Sequence, residues 1–388
     1  MSWNNEIIKT IKQLNQVKRD LNGMFTAREQ TIELLVLASV CQEHLLVIGP
    51  PGTAKTEITT KFAELIDATK FQYLLTRFSE PSELFGPMDI NAFNEGKYTI
   101  RTDKMLPDVQ IAFLDEVFQG SSAILNTLLT ILNERIYYNG SERQNIPLIS
   151  MIGASNIMPE DPWLKAFADR FILRSDLTPV ENEQIEELIE KGWEFETNRI
   201  EANYRNRKGL ESESIIPDLK IEALIELNHR LKEVDLSGIR AEYHSIIREV
   251  RAEGVELSDR RVVKGMKLIA GAALLRESDK ADVGDFWPVN HMWTRVEEKD
   301  VLKNVVSTHI KESDASAISA VRPVADIVMD FETIESQEAY LNSESAVGAH
   351  LSALNKLRRE LICDHPNDTE PLKRIGEAIN RSLSKLEA

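Results

Sequence analysis

The chain has 388 residues, with 63 acidic against 46 basic side chains, a formal net charge of −17 and 42% hydrophobic content. That composition suits a folded protein of two or three domains, and its acidity argues against broad binding to nucleic acid or an anionic membrane. Cys41 and Cys363 stand alone, outside any C-x-x-C or Cys/His cluster, so a disulfide framework or zinc site is not expected and a reducing compartment is.

The N-terminal MSWNNEIIKT carries no apolar signal core, and no stretch reaches the ~18 apolar residues of a membrane span, so a cytoplasmic protein is expected. Residues 6–21 place Ile7, Ile8, Ile11, Leu14, Val17 and Leu21 at helical spacing, and 27–43 reads as a second helix. Short apolar strands then alternate with helices. The strands are Leu45–Ile48, Phe71–Leu75, Ile111–Leu114, Leu148–Ala154 and Phe171–Leu173, with helices at 55–66 and 121–133. This rhythm predicts an α/β fold with a five-stranded parallel sheet covered on both faces. Two hairpin-like segments interrupt it: 89–101, turning at Glu95-Gly96, and 135–147, turning at Asn139-Gly140. Strand signals stop near residue 177. Segment 181–196 carries seven Glu against one Lys and reads as a solvated helix face; 219–233, 239–252 and 259–276 are also helical, with a polar loop at 277–285. In 311–388 an apolar stripe (Val347, Leu351, Leu354, Leu357, Leu361) is broken at Asp364–Pro371, as in a small helical hairpin or a docking surface. The expected domains are an α/β nucleotide-binding domain at 1–176, an all-α lid at 177–310 and a C-terminal helical segment at 311–388.

GPPGTAKT (49–56) follows the first apolar strand and opens a helix. In that position a loop presents backbone N–H groups and a helix N-terminus to phosphate. Gly49, Pro50, Pro51, Gly52, Thr53, Ala54, Lys55, Thr56 and the following Glu57 are the expected nucleotide contacts. Lys55 would reach the β and γ phosphates, and the Thr56 hydroxyl would bind Mg²⁺. Alanine at 54, where the general pattern has glycine, implies that this position needs no strongly positive φ. In IAFLDEV (111–117) two carboxylates end a buried strand: Asp115 is expected to hold the metal and Glu116 to polarise the attacking water. In MIGASN (151–156), Asn156 ends another strand, within reach of the γ-phosphate or the water. Arg170 and Arg174 in AFADRFILR, and Arg260 and Arg261 in LSDRR, are available for transition-state charge.

The order GPPGTAKT, FLDEV, ASN, ADRF and SDRR resembles the AAA+ ATPases of the MoxR group, over roughly residues 20–305. FQYLLTRFSEPSELFGPMDI (71–90) and AILNTLLTILNERIYYNG (123–140) sharpen the resemblance to the RavA-like subgroup. In that family the phosphate loop commonly carries Ala-Lys-[Ser/Thr]. The resemblance implies a ring, usually a hexamer, that hydrolyses ATP with Mg²⁺ between subunits in chaperone-like remodelling or maturation. Its partner is often a protein with a von Willebrand factor A domain. Lys55, Thr56, Asp115, Glu116 and Asn156 would act within one subunit, and Arg170 as the trans-acting finger. Arg260 would be the lid's sensor arginine, with Arg174 and Arg135 as alternatives across the interface. The interruptions match the family's helix-2 insert and pre-sensor hairpin, and Phe93, Asn94, Glu95 and Asn139–Glu142 are expected to move with nucleotide state. Residues 311–388 lack the β-rich insertion of RavA, so its own partner does not carry over. Two other readings stand beside this one: a nucleotide-gated scaffold and a nucleic-acid-associated defence ATPase.

Overall fold

The computed structural model describes residues 3–208, 219–316 and 369–384, with Val328, Phe331, Ile334, Glu335, His350 and Leu354 besides. The chain divides into a compact unit at Met1–Lys311 and a second at Glu312–Ala388.

Helix α1 (Asn5–Met24) is capped by Asn4, whose side chain accepts from the Ile7 N–H, and it buries Ile7, Ile11, Leu14, Val17 and Leu21. Helix α2 (Glu29–Val40) is apolar nearly all round and is buried from Thr31 to Val40 except Glu33. The sheet comprises β1 (Leu45–Ile48), β2 (Lys70–Leu74), β3 (Ile111–Asp115), β6 (Ser150–Ser155) and β7 (Leu173–Asp176), in the order β2-β3-β6-β1-β7. Every pairing in it is parallel. β1 and β6 are buried at every position, which is why they read as continuous apolar runs. Phe171 and Ile172 precede β7 rather than forming it. The Phe171 N–H still bonds to the Ala168 carbonyl, closing a turn before the strand starts.

Helix α3 (Lys55–Leu65) follows β1, and α6 (Ser122–Glu134) follows β3. The expected hairpin at 135–147 forms as β4 (Ile136–Asn139) and β5 (Glu142–Asn145), with Gly140-Ser141 as the loop, one residue later than expected. The segment 89–101 is not a two-stranded hairpin. Asp89 accepts from the N–H groups of Asn91 and Ala92 and starts a short helix, α5 (Ile90–Asn94), leaving a single bridge between Met88 and Ile100. The two interruptions are locked together. The Asn139 side chain accepts from Ile100 N–H at 2.6 Å and donates to its carbonyl at 2.9 Å, and a Cβ at Gly140 would lie 2.0 Å from the Tyr98 carbonyl.

Beyond β7 the described elements are helical, including α8 (Ile185–Lys208), α9 (Ile221–Arg230), α10 (Arg240–Ala252), α11 (Asp259–Leu275) and α12 (Lys299–Ser316). The expected polar loop at 277–285 gives way to a 3₁₀ segment from Val283, capped by Asp282. In the second unit, Phe331, Leu354, Ile375, Ala378 and Ile379 form an apolar cluster, and a helix spans Thr369–Ser384, starting within the expected break at 364–371. Of the C-terminal apolar stripe, Leu354 is buried; Val347, Leu351, Leu357 and Leu361 lie outside the described residues. No described helix is long and apolar enough to cross a membrane.

Helix α11 crosses α2 through a glycine: a Cβ at Gly271 would sit 2.4 Å from Cys41 Sγ and 2.9 Å from Leu37 Cδ1. Gly271→Ala is therefore expected to destabilise the first unit by about 1–3 kcal/mol, read as a lowered denaturant midpoint.

Candidate nucleotide site

In a parallel sheet all carboxyl ends lie along one edge, and β1, β3 and β6 deliver the phosphate loop, the acidic pair and Asn156 to the same place. Residues 51–57, Asp115, Glu116 and Asn156 line one cleft of about 280 Å³. Gly49 and Pro50 lie behind it and contribute carbonyls. Glycine is required at 49 because a Cβ there would lie 2.3 Å from the Leu177 carbonyl. Lys55 is buried, and its ammonium donates to the carbonyl oxygens of Gly49 (2.5 Å) and Pro50 (3.4 Å) and to Asn156 Oδ1 (3.4 Å). Among the described residues it makes no ion pair. A buried cation held only by neutral oxygens is matched to an incoming anion, so the loop fits a phosphate.

Asn156 uses both ends of its amide. Its oxygen accepts from Lys55, and its Nδ2 donates to Glu116 Oε1 at 2.7 Å. Glu116 itself has φ +48°, a left-handed conformation that is uncommon for a non-glycine residue, and its N–H is held by Asp115 Oδ1 at 3.0 Å. The carboxylate is thus aimed from a strained turn and tethered to the residue that also touches Lys55.

Ala54 corrects the sequence expectation. It has φ +65° and ψ +19°, squarely left-handed, and it precedes α3 as the N-cap without a side-chain bond. The loop does need a positive φ at 54, and the side chain is accommodated rather than avoided.

The arginines fall into two groups. Arg135 is engaged within its own chain: it bonds to the carbonyls of Gln42 (2.8 Å) and Ile149 (3.1 Å) and to His44, and burial pushes its guanidinium down to about 10. Arg174 is likewise buried, donating to the carbonyls of Thr294 and Ala168 beside the Trp293 ring. Arg261 is fully buried, ion-paired with Asp169 at 3.0 Å and bonded to Met292, Trp293 and Thr294. Arg170 and Arg260, in contrast, are neighbours. Burial first, and then the Arg260 charge, lower the Arg170 guanidinium from its ordinary value, with Asp169 opposing them. Arg170 donates to the Ala166 carbonyl at 3.1 Å and lies 3.9 Å from Asp169, while its Nε and Arg260 Nη1, like Arg174 Nε and Arg261 Nε and Nη2, lack a hydrogen-bond partner. Neither residue is among those that line the cleft of its own chain.

Two contributors escape sequence reasoning. Arg28 donates to the Thr53 and Thr178 carbonyls at 3.2 Å each, tying the phosphate loop to the chain after β7; no motif surrounds it. Asp169 takes Ser258 Oγ and Arg261 at the start of α11, and its only signal was its place beside Arg170.

Replacing Ala54 by glycine removes a left-handed penalty of about 1–2 kcal/mol at the cost of some chain entropy. Ala54→Gly is expected to raise stability by about 0.5–1 kcal/mol in thermal denaturation, with nucleotide binding unchanged in calorimetric titration.

Similarity to known proteins follows the same lines. The MoxR domain of MoxR–vWA–β-propeller ternary systems matches residues 12–215, and an AAA lid domain matches 221–306. An uncharacterised protein of Methanocaldococcus jannaschii is 34% identical over 74% of this chain and 72% of its own length. A second from that organism is 32% identical over 95% and 90%. The chaperone MoxR1 of Mycobacterium tuberculosis is 22% identical over 45% of each chain. A solved ATPase candidate from Cytophaga hutchinsonii shares the fold, with a TM-score of 0.61 and 17% identity over 79% of this chain and 95% of that one. With its parallel sheet, its phosphate loop and its helical lid, the chain belongs to the MoxR family of AAA+ ATPases.

Proposed function

We propose that the protein is an ATP-hydrolysing ring motor, hexameric by family resemblance, that remodels or matures a protein partner. The observation that carries this reading is the Arg170–Arg260 pair, two neighbouring, partly exposed cations outside the residues that line their own chain's cleft. Two neighbouring cations whose nearest carboxylate, Asp169, lies 3.9 Å from Arg170 and is already paired with Arg261 suit a phosphate supplied by a neighbouring chain, where arginine stabilises the charge that develops on the transferring group. Lys55 and the loop amides hold the β and γ phosphates, Glu116 polarises the water and Asn156 links Glu116 to Lys55. Thr56 and Asp115 would hold Mg²⁺, which would supply positive charge to offset that of the phosphates. The strained, tethered Glu116 favours turnover over a passive nucleotide-gated scaffold.

In this reading residues 1–176 are the motor, 177–310 the lid and 311–388 a partner-docking segment. The locked insert and hairpin present exposed Tyr98 and Tyr138 on a cleft of about 570 Å³, and the insert exposes Phe93 besides, a surface suited to polypeptide. The matching family is described from systems with a vWA protein, which supports a von Willebrand factor A partner. The RavA-like subgroup rests on segments 71–90 and 123–140. Cys41, a free buried thiol, is in keeping with the cytoplasm.

Glu116→Gln and Arg170→Ala are each expected to lower turnover by about 10² or more while retaining ATP binding. Mixed in equal amounts they should recover roughly a quarter of wild-type activity, because each supplies what the other's interface lacks. Arg260→Ala mixed with Glu116→Gln should behave alike. Mixtures as inactive as their components would place both arginines in their own chain's chemistry and end this reading.

A further inference from the structure

Helix α8 has two faces. Lys191 donates to the Asn22 carbonyl, and Phe195 packs on Phe25 beneath Lys61; these attach it to the rest of the first unit. At about 100° per residue, Ile189, Trp193, Ile200 and Tyr204 project on the opposite side, within about 60° of one another. They are 65%, 66%, 60% and 54% exposed. An apolar stripe of this size on a helix otherwise rich in charge is a surface made to be covered.

The stripe is symmetric about the middle of the helix. Ile189 and Tyr204 each lie four residues in from an end of Ile185–Lys208, and Trp193 and Ile200 each lie eight residues in. Charge follows the same symmetry with opposite sign. Residues 185–196 carry five glutamates against Lys191, whereas 197–208 carry Arg199, Arg205, Arg207 and Lys208 against Glu201. Glu186 and Arg207 each lie one residue in from an end. Lys191–Glu187, Arg199–Glu196 and Arg205–Glu201 already pair within the helix, and ion pairs with this much solvent exposure are worth little each.

We infer that α8 is a self-association element, pairing antiparallel with α8 of a second copy of this chain about a two-fold axis at its midpoint. In that arrangement Ile189 faces Tyr204 of the second copy, Trp193 faces Ile200, and the acidic half of each helix lies along the basic half of the other. Parallel pairing would set acidic half on acidic half and is disfavoured. A two-fold contact is isologous and closes after two chains, so it joins chains in pairs rather than extending a ring. It uses none of Lys55, Glu116, Asn156, Arg170 or Arg260, and stands or falls separately from the nucleotide reading.

The test uses the full nucleotide-free chain. In a Cys363→Ser background, Trp193→Cys protein mixed with Ile200→Cys protein should crosslink with a short bismaleimide into a two-chain species on denaturing gels. Trp193→Cys alone should not, because its two copies would stand about 10 Å apart along the axis. In sedimentation equilibrium Trp193→Ala should raise the pair's Kd at least about tenfold, with an unchanged circular dichroism spectrum. Arg207→Glu should weaken the pair, and adding Glu186→Arg to the same chain should restore it. Crosslinking of Trp193→Cys alone, association indifferent to Trp193→Ala, or capture only of a different protein on this face would overturn the inference.

Discussion

The ion pair between Asp169 and the fully buried Arg261 is the join on which the arrangement of the arginines depends. A guanidinium with no solvent access needs its countercharge and its hydrogen bonds. Arg261 finds them in Asp169, in the carbonyls of Met292 and Trp293 and in Thr294. Ser258, the N-cap of α11, donates to the same Asp169 carboxylate. One partly exposed carboxylate thus anchors the first turn of α11 against the segment that carries Arg170. The residue before Arg261 is thereby set beside the residue after Asp169, which brings two like charges together at the protein surface. Without Asp169 to hold it, a pair of neighbouring arginines would separate.

The cleft depends on a different constraint, the parallel sheet. Because every strand runs the same way, three polar strand ends converge with no long-range design beyond strand order. What sharpens convergence into a site is local backbone strain. Ala54 and Glu116 both hold positive φ, one ahead of the phosphate-binding helix and the other at the end of β3. Arg28 and the Lys55–Asn156–Glu116 chain of hydrogen bonds hold that geometry. The surface for partners is organised in the same economical way. A single asparagine amide, Asn139, joins insert and hairpin by copying the donor and acceptor pattern of a strand neighbour.

Much of this was legible in the order of residues. Apolar runs such as Leu45–Ile48 and the spacing of Ile7, Ile11, Leu14 and Leu21 report burial directly, since both reflect local periodicity. The cleft residues were legible because each sits at the end of such a run. Two features were not. A hairpin pattern at 89–101 yielded to the Asp89 cap, because a side-chain bond to two backbone N–H groups outweighs weak strand propensity. The φ of Ala54 was misjudged because residue type constrains backbone geometry only as a preference that the surrounding loop overrides.

By itself, then, the sequence determined the α/β alternation, the phosphate loop, the acidic pair and Asn156, all of which depend on neighbours within a few positions. Only the tertiary structure decided which arginines are held by carbonyls of distant segments and which are not. Arg135, Arg174 and Arg261 are chemically identical to Arg170 and Arg260. What separates them is burial against carbonyls and carboxylates far away in the chain, from Gln42 to Thr294. An arginine's role is set by the counter-charge that packing provides, and packing is not a local property of sequence.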